Sequence, residues 1–209
     1  MEAIRETMMY FHKGGLVMWP LLACSIAVIS IAIERFLFYK ASDSGSAFAR
    51  TYCETAQVKG MHEATNYAVN ADGRCAQILV EAAKISGGKD VKGAYLESQA
   101  GIFVATLRNK LDYLGIIVTL SPLLGLLGTI VGMIGAFSIF NLEAGAPMAI
   151  TGGIGEALIA TATGLCVAIL SLCVHSYFNH RLDNIITDME QCFSALLEAE
   201  TRSGDHEAA

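Results

Sequence analysis

Residues 157–180 form 24 consecutive positions without Asp, Glu, Lys or Arg, between Glu156 and Arg181. At about 1.5 Å per residue, a helix of this length crosses the apolar core of a lipid bilayer. Small residues recur within the run, and Ala160 and Gly164 are spaced so that another helix can approach closely. The run therefore predicts a membrane-spanning helix that packs against protein.

Two further runs lack formal charges in the same way. Residues 14–33 contribute 20 such positions and residues 113–142 contribute 30. The mean hydropathy is +0.49 and charged residues make up 16% of the chain, whereas soluble domains average about 25%. No strand-like alternation is present. The sequence therefore predicts an all-α membrane protein with three transmembrane helices.

Lys and Arg near the ends of the runs predict the orientation, because cytoplasmic flanks carry the excess of positive charge. The flanks assigned to the cytoplasm hold Arg35, Lys40, Arg50, Arg108, Lys110 and Arg181. The opposite side holds Arg5 and Lys13. The N-terminus is therefore expected outside and the C-terminus inside, with long helical extensions in the cytoplasm.

The composition along the chain predicts seven segments. In order they are an N-terminal amphipathic lead (1–13), transmembrane helix 1 (14–39), a cytoplasmic helical region (40–112), transmembrane helix 2 (113–141), an outer loop (142–151), transmembrane helix 3 (152–178) and a cytoplasmic C-terminal helix with a polar tail (179–209). An amphipathic stripe covers 74–86. A helix that begins near Asp90 is expected to run straight into transmembrane helix 2.

Several classes of protein are disfavoured by the sequence. The six cysteines show no CxxC pair and no metal-ligand spacing, so free thiols are expected and no metal or cofactor. A net charge of −6, without a cluster of Lys and Arg interleaved with aromatics, argues against nucleic acid as a partner. No nucleophile–base set is present, so an enzyme is not expected.

Glu156 is the only carboxylate within the two long apolar segments. Because an ionised group is costly in hydrocarbon, Glu156 is expected to face protein or water, as the residue of an ion path does. The alternative is a carboxylate that only bonds backbone or hydroxyl groups at a subunit contact. On an ideal helix Thr161 lies about 140° from Glu156 and Thr163 about 20° away, so geometry alone favours Thr163 as its pore-lining companion.

The second apolar run carries a row of glycines at intervals of three and four: Gly125, Gly128, Gly132 and Gly135. Such a row lets membrane helices approach closely, and we expect it to hold a homo-oligomer together. Thr129 is the hydroxyl in the middle of this run. A single threonine in a membrane helix commonly bonds its own backbone, which leaves a second reading open for Thr129.

The motifs SPLLGLLGTIVGMIGAF (121–137) and GIGEALIATATGLCVAI (154–169), with KGGLVMWPLL (13–22) as a weaker third, resemble the MotA/TolQ/ExbB proton-channel family. Together with the topology, the resemblance covers most of the chain. It implies that the acid and two threonines of the family's proton path correspond to Glu156, Thr161 and Thr129. The resemblance thus favours Thr161 over Thr163.

The resemblance also implies partners and a location. It predicts a pentamer in the bacterial inner membrane around single-pass helices of an ExbD/TolR-type protein, with a TonB-like protein receiving the energy. The expected function is that of an ExbB-like subunit coupling the proton motive force to outer-membrane transport. Alternatives are a TolQ-like role in envelope integrity and a non-conducting helical scaffold. A MotA-like flagellar stator is disfavoured, because that branch has a fourth membrane helix.

Overall fold

The computed structural model describes residues 14–142 and 147–207, with side chains over 14–138 and 151–202. These residues form seven helices and no strand: α1 (Met18–Ser42), α2 (Ser46–Val58), α3 (Met61–Val69), α4 (Arg74–Lys84), α5 (Lys89–Arg108), α6 (Leu111–Leu142) and α7 (Pro147–Glu207). The predicted N-terminal lead lies outside the described residues, as do residues 143–146 of the predicted outer loop.

Helices α1, α6 and α7 each hold one of the three apolar runs and are long and apolar enough to cross a membrane. Only 17%, 28% and 33% of the residues in their most apolar windows are buried within the chain. Most of the residues in these windows are therefore not buried by the chain itself. The prediction of an all-α protein with three candidate membrane helices is confirmed for the described residues.

Two helix boundaries differ from expectation. Helix α7 begins at Pro147, before the predicted start at residue 152. The helix expected to run from near Asp90 into the second apolar run is interrupted, because Lys110 has a φ of +71° between α5 and α6. A non-glycine residue rarely adopts this left-handed conformation, which ends a helix. The prediction of a continuous helix was wrong because the leucine spacing continues unchanged across the break.

The chain divides into two units. Among the described residues, the apolar unit contains 14–33, 110–142 and 147–177, and the polar unit contains 34–109 and 178–207. In the polar unit, the predicted stripe on α4 buries Cys75, Ile78, Leu79 and Ala82. The ring of Phe48 on α2 stacks on Tyr67 of α3 with a centroid distance of 5.6 Å. The core of this unit is therefore built from aliphatic and aromatic side chains of successive short helices.

Arg35 is a buried cation of the polar unit, with 5% of its surface exposed. Its Nη1 donates to the backbone oxygens of Thr106 (3.2 Å) and Asn109 (3.1 Å). Its Nη2 donates to Glu34 Oε1 at 2.8 Å, and the guanidinium lies 4.6 Å from the centre of the Phe38 ring. The last carbonyls of a helix have no partner within the helix. Arg35 therefore caps the C-terminal end of α5.

Replacing Arg35 by methionine should lower the free energy of unfolding by about 2–4 kcal/mol, because it removes a hydrogen-bonded cation from a buried site together with its bonds to two backbone carbonyls. Arg108→Met is the matched control, since Arg108 is an exposed arginine in the last turn of α5. It should change stability by less than about 1 kcal/mol. Urea unfolding of the purified chain in detergent measures both, and equal losses would contradict the capping role.

Asp188 on α7 is a carboxylate of the polar unit whose ionised form is disfavoured in the folded chain. Burial raises the pKa of its carboxyl above the ordinary value, and the charge of Asp43 raises it further, while Arg50 opposes the shift. A carboxyl whose pKa is higher in the folded chain than in the unfolded chain costs stability once it is ionised. The cost is complete above the folded pKa and disappears as the pH falls through the unfolded value near 3.8.

Asp188→Asn should therefore raise the melting temperature at pH 7, and the gain over wild type should shrink toward pH 4. Melting curves of both proteins across this range test the sign. Asp183→Asn, at an exposed position of the same helix, controls for the change in net charge. A gain that is independent of pH would show that repulsion and desolvation at Asp188 are not its cause.

Candidate functional site

Glu156 lies near the start of the apolar run on α7 and is partly exposed. Its carboxylate lies against the backbone of Gly15, which precedes α1 and has a φ of +71°. A side-chain carbon placed on Gly15 would clash with Glu156 Oε1 and lie 3.0 Å from its Cδ. The carboxylate of Glu156 is thus held beside backbone at the beginning of the first membrane helix.

The three threonine hydroxyls singled out by sequence have different partners. Thr161 Oγ1 donates across to the backbone oxygen of Gly125 on α6 at 3.0 Å. Thr129 Oγ1 donates to the backbone oxygen of Leu126 at 2.6 Å, within its own helix. Thr163 Oγ1 likewise donates within its own helix, to the backbone oxygen of Ile159 at 2.8 Å. Of these three threonines, Thr161 is therefore the one that joins two membrane helices.

Glu156 and Thr161 point to different neighbours, as expected from the angle of about 140° between them on a helix. Glu156 faces the start of α1, and Thr161 faces α6. The structure therefore does not bring the two residues together within one chain. Thr163, which lies closer to Glu156 in angle, is partly exposed.

Helices α6 and α7 pack through small residues. A side-chain carbon on Gly128 would lie 2.5 Å from the Cβ of Ala160, and one on Gly132 would lie 3.2 Å from the Cβ of Ala157. One on Gly164 would lie 2.6 Å from the carbonyl oxygen of Ser121. The glycine row thus contacts α7 of the same chain, whereas the sequence had suggested contact between subunits.

Gly135 does not share this contact. Among the described residues no atom lies within 4 Å of a side-chain carbon placed on it. Ala136 lies on the contact line in its place: a side-chain carbon on Gly153 would clash with the Cβ of Ala136 and lie 2.9 Å from the oxygen of Gly132. Sequence spacing alone had placed Gly135 on the same face as the other three.

Two buried serines of this interface were not predicted. Ser171 Oγ on α7 donates to the backbone oxygen of Leu114 on α6 at 3.0 Å. The hydroxyl of Ser121 is fully buried, and the described residues offer it no hydrogen-bond partner. Serine within an apolar run is the available signal, but it is weak, because serine also bonds its own helix backbone.

Comparisons with known proteins assign the chain to a family. Residues 74–191 match the model of the MotA/TolQ/ExbB proton channel family. The chain belongs to this family. It is 33% identical to the Synechocystis sp. protein named ExbB-like 1 over 181 residues, which cover 78% of this chain and 67% of that protein. It is 32% identical to ExbB-like 3 of the same organism over 170 residues, which cover 79% and 81%.

A solved structure supports the same fold. The structure of C. jejuni MotAB includes a chain that superposes with a TM-score of 0.64 at 16% identity, covering 90% of this chain and 77% of that one. The side chains of the candidate site, Glu156 and the threonines, can carry out the chemistry that a proton channel needs. A carboxylate binds and releases a proton, and hydroxyls donate and accept hydrogen bonds.

Gly164→Ala should disrupt the pairing of α6 and α7, because its methyl group would meet backbone that cannot rotate away. A loss of about 1–3 kcal/mol is expected for this overpacking. Gly135→Ala is the matched control: it also replaces a helical glycine but meets no described atom, so the subunit should keep its stability. Unfolding of both variants in detergent compares them. If Gly135→Ala destabilises the chain as much, the contact line differs from the one described.

Proposed function

We propose that this chain is an ExbB-like subunit of a proton-driven motor in the bacterial inner membrane. With an ExbD/TolR-type single-pass partner, it couples the proton motive force to transport across the outer membrane through a TonB-like protein. The observation that carries the proposal is Glu156, an ionisable group in an apolar helix, held against backbone by a tightly packed set of membrane helices. Ionisable groups in such helices mark ion pathways.

The proposed orientation has the N-terminus outside and the C-terminus in the cytoplasm. It is supported by the excess of Lys and Arg in residues 34–110 and at Arg181. The polar unit is then cytoplasmic, and Glu156 lies toward the outer half of the membrane.

A homo-oligomer, pentameric as the resemblance implies, fits the exposure of the apolar unit. The row of small residues on α6 is used within the chain, so contacts between subunits would involve other faces. Large side chains on those faces are exposed: Leu123, Ile130 and Ile134 on α6 have 61%, 52% and 62% of their surfaces accessible. Such contiguous apolar faces are covered by lipid or by neighbouring copies.

The energy available to such a motor follows from electrostatics. One proton falling through about 100 mV releases about 2.3 kcal/mol. Several protons for each step would be enough to rotate or shift a partner helix that is held by a few weak contacts. The role proposed for Glu156 is to prepare the path by which the partner's membrane carboxylate receives and loses its proton.

Two other functions remain as alternatives. A TolQ-like subunit would use the same residues for envelope integrity, and the relatives named ExbB-like favour the transport role. A non-conducting scaffold would keep the packing of α6 and α7 but would not need the carboxylate. Proton flux separates the scaffold from both motors. The TonB-like or Tol-type protein that co-purifies with the complex separates the motors from each other.

Glu156→Gln tests the proposal directly, because an amide has the shape of the carboxylate but cannot release a proton. The variant should assemble normally and reduce partner-dependent acidification of proteoliposomes by about tenfold or more. Glu190→Gln, an exposed acid on the same helix outside the apolar run, should leave the flux unchanged. Wild-type flux from a normally assembled Glu156→Gln complex would assign Glu156 a structural role and remove the proposed one.

A further inference from the structure

Gly15 combines two constraints that each exclude a side chain. Its φ of +71° lies in the left-handed region that L side chains rarely adopt. In addition, the position of a side-chain carbon on Gly15 is already occupied by Oε1 of Glu156. A methyl group at this position would therefore strain the backbone and displace the carboxylate.

Other glycines of the chain separate these two effects. Gly45 and Gly60 also have positive φ values, +81° and +86°, and each precedes a helix of the polar unit. No described atom lies within 4 Å of a side-chain carbon on either one. They have the backbone constraint alone, whereas Gly15 has the backbone constraint together with contact to an ionisable group.

The segment after Gly15 is anchored, so the backbone cannot easily retreat from Glu156. Val17, Met18 and Leu21 form a buried cluster, against which Leu124 of α6 packs. A side-chain carbon on Gly128 would lie 3.7 Å from Val17, which places this cluster beside the contact of α6 with α7. Displacement by a side chain at position 15 would therefore fall on the more mobile partner, the Glu156 side chain.

We propose that Gly15 is a positioning residue for Glu156: the space left by its missing side chain holds the carboxylate in the place from which it acts. The segment that leads into the first membrane helix would then contribute to the proton path through its backbone. The inference rests on the proposed function for its effect on flux, but the position of the carboxylate can be measured without any flux.

The experiment uses the full chain, with and without an ExbD/TolR-type partner from the same genome. Gly15→Ala introduces the methyl group, and Gly60→Ala introduces the same change at a strained but open position. Glu156→Asp shortens the acid by one methylene and makes room, and the double variant Gly15→Ala/Glu156→Asp completes a double-mutant cycle. The first readout is the rate at which a hydrophobic carbodiimide modifies residue 156, followed by mass spectrometry. The second readout is partner-dependent proton flux.

If the proposal holds, Gly15→Ala raises the rate of carbodiimide modification by about threefold or more, because the carboxylate is displaced from its contact with residue 15. The same substitution lowers partner-dependent proton flux by a similar factor. Gly60→Ala changes neither quantity. In the Glu156→Asp background, Gly15→Ala has a much smaller effect on both, because the shorter side chain does not meet the methyl group. Such rescue would not follow from backbone strain alone.

The opposite results overturn the proposal. An unchanged modification rate in a folded Gly15→Ala chain would show that Gly15 does not set the position of the carboxylate. Equal effects of Gly15→Ala with either acid at position 156 would assign the loss to backbone strain. If the Gly15→Ala chain does not accumulate in the membrane, accumulation of the double variant Gly15→Ala/Glu156→Asp supports the proposal. Failure of the double variant to accumulate rejects it. Absence of flux in wild type would reject the proposed function, and the modification rates would still decide the role of Gly15.

Discussion

The apolar unit depends on the close approach of two backbones, those of α6 and α7. In a lipid bilayer, apolar side chains gain little by leaving lipid for protein, so helices associate through packing and hydrogen bonds. Here the packing is made possible by glycine and alanine on both helices, and two hydroxyls, from Thr161 and Ser171, bond to carbonyls of the opposite helix. A stable pair of this kind supplies the fixed surface beside which an ionisable group can be held.

The polar unit obtains its stability differently. It buries aromatic and aliphatic side chains as a soluble bundle does, and it also buries charges that have partners. Arg35 donates through Nη1 to two backbone carbonyls, and Lys92 on α5 forms an ion pair with Glu200 on α7. Burying a charge is costly unless geometry and hydrogen bonds compensate for it. These pairs consequently define where α5 and the C-terminal part of α7 lie within this unit.

Much of the fold could be predicted because long charge-free runs admit few structures besides membrane helices. Glu156 stood out for the same reason, and helix geometry correctly indicated that Thr161 faces another direction. Other features depend on information that spacing does not contain. The break at Lys110 lies within unbroken leucine periodicity, and the choice of Ala136 over Gly135 depends on the rotation of α6 against its neighbour. The contact of Gly15 with Glu156 joins residues more than a hundred positions apart.

The pairing of Gly128 with Ala160 has a consequence for how such chains vary. Together the two positions have room for one methyl group, since a second Cβ would approach the first to 2.5 Å. Position 128 can therefore acquire a methyl group only when position 160 loses one. Gly153 is more restricted, because a side-chain carbon there would lie 2.9 Å from the backbone oxygen of Gly132 even without the methyl group of Ala136. Variation at positions 128 and 160 should consist of reciprocal exchanges between glycine and alanine, whereas positions that face backbone, such as 164, should stay glycine. Such a pattern would preserve a record of the helix register after overall identity has been lost.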